Sequence, residues 1–440
     1  MLRSIVLVFA VFISLASVAQ IKTPKWAQNA TIYEINVRQF SAEGKFSAVT
    51  KELPRLKAMG VDIIWLMPIH PIGERNRKGS LGSYYAVKDY QKVNKEFGNL
   101  DDFKFLVKET HRLGMYVIID WVANHSSPDN VWIEQGNMEW YTLDSTGNVQ
   151  PTIGTDWWDV ADLNYDNKSM RKEMILSMKY WLTEADIDGF RCDVAGSVPL
   201  DFWMDARMEL QLVKPIFMLA EAEEVPLHDA FEMTYGWNFH HIMNKIAKGE
   251  SDATAIREYL ANNKYPSNAF RMNFTSNHDE NSWNGTEMER MGDARFAMAV
   301  LASTIEGMPL VYNGQETSLD RRLKFFDKDS IDWKKMDMVP FYTKLLTLHQ
   351  SNPALWVKDG SNNAKIIETK NSKDQLVYIR EYENHQVITV LNLSKKKTEV
   401  VFDSASIKGE YTDLFTGKKK TLKSSNKVSL APWGYQVFYK

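Results

Sequence analysis

The chain has 440 residues, a formal net charge of −3, 12% aromatic residues and a single cysteine, Cys192. Nearly balanced charge without a basic run disfavours a polyanionic partner such as nucleic acid, and a lone cysteine excludes an intrachain disulfide. The length allows one large core plus a smaller unit, because single cores stop growing at roughly 250–300 residues.

The chain opens with Met1-Leu2-Arg3, an apolar run over 5–15, and Ser17-Val18-Ala19 ahead of Gln20. This order predicts a secretory signal peptide spanning 1–19. The run is too short for a bilayer span, which takes about 20 residues. No Cys follows it to carry a lipid. A secreted or periplasmic protein with no membrane span in the mature chain is expected.

From about residue 30 to 350, β-rich runs alternate with helix-period stretches. The strands are expected at 31–40, 62–69, 116–124, 189–195, 216–223, 231–235, 270–279 and 308–316. Runs such as Ile63-Ile64-Trp65-Leu66 and Val117-Ile118-Ile119 suit parallel strands buried on both faces. Helices are expected at 101–113, 168–185 and 293–305. Eight alternations predict an α/β protein, a (β/α)8 TIM barrel over 20–350. An open doubly wound sheet would gather its polar residues at one switch point, whereas here they follow several strands. The segment 126–168, dense in Trp, Asp, Asn and Gly, is too long for a plain connection and reads as an inserted loop domain. Beyond 350, period-2 runs such as Gln386-Val387-Ile388-Thr389-Val390-Leu391, separated by turn signals, predict a C-terminal antiparallel β-sandwich over 351–440.

Chemistry in such a barrel sits where the strands end. The third strand ends Asp120-Trp121-Val122-Ala123-Asn124-His125, and the fourth reads Gly189-Phe190-Arg191-Cys192-Asp193. The fifth ends Leu219-Ala220-Glu221, and the seventh Asn277-His278-Asp279. A retaining glycosidase needs a carboxylate nucleophile and a carboxylic acid about 5–5.5 Å apart, and adjacent strands lie roughly 4.7–4.9 Å apart. Asp193 and Glu221, on consecutive strands, suit that spacing. Arg191, two residues before Asp193, shares its face and would keep it ionised. Nearby carboxylates would raise the pKa of Glu221 and hold its proton. Any one of these charges alone reads as a buried ion pair; five or six on one rim do not.

These motifs resemble those of the α-amylase family and stand in the same order. Gly60 to Pro68, Asp162-Leu163-Asn164, and Gly307-Met308-Pro309 through Gly314-Gln315-Glu316 resemble three further family segments. The resemblance implies Asp193 as nucleophile, Glu221 as general acid/base, and Asp279 as stabiliser of the oxocarbenium-like transition state. It implies that Arg191, His125 and His278 hold the nucleophile and the sugar, with Tyr85 stacked on that sugar. Trp158, beside Trp157 in the inserted loop, is a candidate to line the glucan groove. Asn124 and Asp162 match two usual ligands of a structural Ca2+, a hard cation that takes oxygen donors. The family's lysine and histidine just past the nucleophile are replaced by Gly196 and Ser197.

The reading is hydrolysis of α-1,4-glucosidic bonds in starch, glycogen or maltodextrins by a monomer. One alternative is an α-1,6-acting or transglycosylating relative, to which Val194 and the Leu163-Asn164 pair point. Another is an inactive glucan-binding member.

Overall fold

The computed structural model describes residues 21, 23–262, 265–358 and 360–440, so the expected signal peptide lies outside the described residues. Eight parallel strands close into a barrel: β1 (Ile32–Ile35), β2 (Ile63–Leu66), β3 (Tyr116–Trp121), β4 (Gly189–Cys192), β5 (Phe217–Ala220), β6 (Met233–Tyr235), β7 (Phe270–Asn273) and β8 (Met308–Tyr312). Each pairs with its chain neighbours, and β8 returns to β1 with Leu310 opposite Ile32. Closure excludes the doubly wound alternative.

Alternation along each strand fills the cylinder. Ile32, Ile63, Trp65, Ile118, Phe217 and Leu219 belong to one buried cluster inside it. Continuing the same period, Glu34, Asp120 and Arg191 also point inward, one step nearer the mouth, and all three are fully buried. Polar chemistry therefore begins directly on an apolar plug. The barrel is tight at Gly189, where an added Cβ would sit 1.8 Å from the Phe217 carbonyl oxygen. Only glycine lets β4 approach β5 there.

The strands are shorter than the sequence pattern predicts. β1 stops at Ile35 because the Asn36 side chain accepts from the Gln39 amide and starts a helical turn, Val37–Phe40. β7 stops at Asn273, and the remaining residues to Asp279 leave the sheet. In each case the polar tail of the predicted strand lies at the mouth.

The expected helices form at Leu100–Arg112, Lys168–Glu184 and Arg295–Thr304. The first shows why. Asn99 and Asp102 make a reciprocal capping box, with acidic residues in the first turn and His111 and Arg112 in the last. Its inward stripe is Phe103, Leu106, Val107 and Thr110. The segment 126–168 holds a helical turn, Val131–Glu134, and a two-residue ladder of His125–Ser126 with Ala161–Asp162.

After the helix Val339–Ser351, a six-stranded antiparallel sheet faces a two-stranded one, Thr398–Asp403 with Ser425–Leu430. Val377, Ile388, Val400, Phe402 and Phe438 fill the space between them. The outer face of the larger sheet packs on the barrel. There Tyr378 and Thr304 share a hydroxyl hydrogen bond of 2.6 Å, and buried Arg380 donates to the carbonyls of Ile305 and Asn362, both at 2.8 Å.

Candidate active site

At the barrel mouth one guanidinium gathers the acids. Arg191 Nη1 donates to Asp193 Oδ1 at 2.8 Å and to Asp120 Oδ1 at 2.9 Å. Its Nη2 lies 2.9 Å from Glu221 Oε2, a charge contact without hydrogen-bond alignment. Its Nε donates to the Tyr235 hydroxyl at 3.1 Å. Arg191 is fully buried, so these contacts stand in a poorly screened environment. Asp193 and Glu221 are thus held on a single side chain, as their strand positions predict. Asp120 is a further carboxylate that the strand-end motif contained but that had no assigned role. It also accepts from Trp65 Nε1 and the Tyr85 hydroxyl.

Glu221 Oε2 additionally accepts the Val194 amide at 2.8 Å. Val194 has φ 39° and ψ 42°, a left-handed conformation that is costly for a β-branched residue. The turn it makes aims the backbone N–H just after Asp193 at the carboxyl of Glu221.

Burial is the largest influence on both acids. It pushes Glu221 up to about 8, with Asp193 and Asp279 adding to the rise and Arg191 opposing it. It pushes Asp193 up to about 6, with Arg191 again opposing. The more elevated group is the one suited to keep a proton near neutrality.

His278 joins the site to β1. Its Nδ1 lies 2.5 Å from Glu34 Oε1, and its Nε2 lies 2.7 Å from the Tyr85 hydroxyl and 3.3 Å from Asp279 Oδ2. Burial alone would lower its pKa, but Asp279 and Glu34 outweigh burial and hold it at about 9. His278 is therefore a cation, donating from both nitrogens. Glu34 had no motif to mark it; its only sequence signal is the two-residue step from Ile32 along β1. His125 has the opposite fate. Burial pushes it down to about 4, so it is neutral, with its ring against Trp157 at 5.6 Å.

Tyr85, His125, Val194 and His278 line one cavity of about 660 Å3. Its floor holds Asp193, Glu221 and Asp279. The Tyr85 ring stacks on His278 and on Phe325, with centroids 5.7 and 6.1 Å apart. Trp158 lies at the rim, 56% exposed, and Trp283 faces the same space at 50%. Phe325, Phe326, Trp283 and Lys78 were not among the residues singled out in the sequence, because no strand-end pattern marks long mouth loops.

Asn124 and Asp162 lie close together and share a hydrogen-bond network through Thr152. Asn124 Nδ2 donates to Thr152 Oγ1 at 2.9 Å, and that hydroxyl donates to Asp162 Oδ1 at 2.7 Å. Thr142 Oγ1 donates to Asp162 Oδ2, also at 2.7 Å. Both carboxylate oxygens are thus engaged by hydroxyl protons. No group of three His, Cys, Asp or Glu side chains placed to hold a metal occurs among the described residues.

Residues 25–360 match the family model described as the α-amylase catalytic domain, and residues 364–437 match the maltogenic amylase C-terminal domain. An α-amylase of Haloarcula japonica is 28% identical over 90% of this chain, which spans 59% of that relative's length. Among solved structures, a maltogenic α-amylase of Thermotoga neapolitana superposes with a TM-score of 0.84 at 31% identity, over 94% of this chain and 99% of that one. An α-amylase of Lactobacillus plantarum gives 0.83 and 32% with the same coverage. With the closed barrel, the acid-lined mouth and a family model over most of its length, the chain belongs to the α-amylase family.

Proposed function

We propose that this protein is a retaining glycoside hydrolase that cleaves α-1,4-glucosidic bonds in starch, glycogen or maltodextrins. The observation that carries the reading is Arg191, which contacts Asp193 and Glu221 while the two differ in proton affinity. Arg191 occupies Asp193 Oδ1, leaving Oδ2 to attack the anomeric carbon. Glu221 gives its proton to the glycosidic oxygen as that bond breaks, and a glycosyl ester forms on Asp193. Glu221, now ionised, takes a proton from water. The resulting hydroxide equivalent attacks the same carbon and frees Asp193. Asp279 and cationic His278 face the sugar hydroxyls, and Tyr85 supplies the stacking face. Two displacements preserve the anomeric configuration.

The test is the product profile on maltohexaose, pullulan and isomaltose, with the first-formed anomer read by NMR. Maltohexaose cleavage giving the α-anomer first is expected. Initial β-anomer, or cleavage of isomaltose alone, would overturn the reading.

We further propose a structural Ca2+ at Asn124 and Asp162, where the Asn124 carbonyl oxygen and the Asp162 carboxylate, whose oxygens each keep a lone pair beside the Thr142 and Thr152 hydroxyls, are the oxygen donors a hard cation takes. Chelation by EDTA is expected to lower Tm by more than about 2 °C, the scale of 1 kcal/mol in a domain this large. A fall reversed by added Ca2+ supports the cation, and no shift would remove it.

A further inference from the structure

The cavity is not symmetric about the bond to be broken. On one side of Asp193 and Glu221, Val194 lines the cavity, and Gly196, two residues on, lines a second cavity of about 330 Å3 with Glu224. On the other side, beyond the Tyr85 platform, three separate loops meet. Phe325 continues the stack from Tyr85, and Phe326 packs edge-on against Phe325 at 5.1 Å. Across the gap stand Trp158 and Asp159 of the inserted loop. Lys78, from the loop after β2, bridges them.

The Lys78 ammonium lies 3.0 Å from Asp159 Oδ1, 4.3 Å from the centre of the Trp158 ring and 6.0 Å from that of Phe326. These are distances for an ion pair and for cation–π attraction. The neighbouring residues fix it there. Asn76 Nδ2 donates to the Trp158 carbonyl at 3.0 Å. Ser80 donates through its amide and its hydroxyl to Asp327 Oδ1, at 2.9 and 2.6 Å. The Leu81 amide donates to the Phe326 carbonyl at 2.9 Å. Gly79 must be glycine, because at φ +62° a Cβ would lie 2.5 Å from that of Phe326. The bridge is held from both ends.

We propose that Lys78 closes the glycone end of the groove and makes this enzyme act on chain ends, releasing short products of fixed length. This rests on the α-1,4-hydrolase reading and adds the mode of attack. The sugar whose anomeric carbon reacts lies on Tyr85, so the rings preceding it run toward Phe326, Lys78 and Trp158. Lys78, Trp158, Asp159 and Phe326 line the same cavity as Asp193 and Glu221, so the bridge borders the space those rings would enter. The remainder of the glucan leaves on the Val194 side, toward Gly196.

The experiment compares maltoheptaose with the same oligosaccharide blocked at its non-reducing end by an ethylidene group. The wild-type protein is expected to cleave the blocked chain at least about 10-fold more slowly, as a walled pocket discriminates. Lys78→Ala is expected to bring the ratio within about 3-fold by opening that wall. Lys78→Arg, which retains charge and ring contact, should restore most of the discrimination. Phe326→Ala opens the wall from its other side and should act like Lys78→Ala, so the proposal survives a misfolded first variant. Equal rates for wild type on both substrates, or an unchanged ratio in both opened variants, overturns the chain-end proposal alone. No cleavage of either oligosaccharide overturns the α-1,4-hydrolase reading, and this proposal with it.

Discussion

Asp193→Asn is expected to lose activity on maltohexaose by on the order of 10^5-fold, the scale of removing a nucleophile, with no loss of folded structure. The amide cannot form the glycosyl ester. It still accepts from Arg191, which also keeps Asp120, Glu221 and Tyr235 as partners. Removing one of several clustered carboxylates relieves repulsion, so Tm should hold or rise. Initial rates, a melting curve and mass spectrometry with a slow fluoroglycoside check this together. Wild type should gain the mass of a bound sugar and the variant should not. A variant that retains more than about one-hundredth of the activity, far above what nucleophile loss allows, removes Asp193 from the central role.

Glu221→Gln is expected to cost about 10^2–10^4-fold in kcat, the range for losing a general acid. Its signature lies in pH. Wild-type kcat/KM should follow a bell, rising as Asp193 ionises near about 6 and falling as Glu221 loses its proton near about 8. The variant should lose the alkaline limb. It should also recover best on substrates whose leaving group needs no proton.

Stability should move the other way. The folded pKa of Glu221 is raised to about 8 from an ordinary value of 4.5. Such a group contributes stability that is fully present below about 4.5 and is lost as pH rises through 8. The neutral variant escapes that loss. Its Tm relative to wild type should therefore be smallest at pH 5 and grow toward pH 9, by about 2–4 °C for each kcal/mol. A constant difference across that range would show that Glu221 is not the strained acid described.

The same strain runs through the site. Asp120, Asp193 and Glu221 are all raised by burial, and His278 is raised by its carboxylate neighbours. All four changes favour the protonated state, so the empty site is more stable in mild acid than in mild base. The left-handed turn at Val194 adds backbone strain at the same place.

Read as sequence, the chain announced its barrel and its acids. Eight buried β-runs separated by amphipathic helices call for a parallel sheet covered on both faces, and polar residues after several strands favour the closed barrel over the doubly wound sheet. A charge at the end of such a strand has one place to go, the mouth. That is why Asp193, Glu221, Arg191 and His278 could be placed together from local pattern alone. Their proton affinities, the pairing of His278 with Glu34, and the hydroxyls that occupy Asp162 belonged to the tertiary structure. Each depends on residues far apart in the chain, Glu34 and His278 among them, and no local period encodes such a meeting. The wall at Lys78 is the extreme case. It joins loops centred near residues 78, 158 and 326, whose positions are set only once the barrel has closed beneath them.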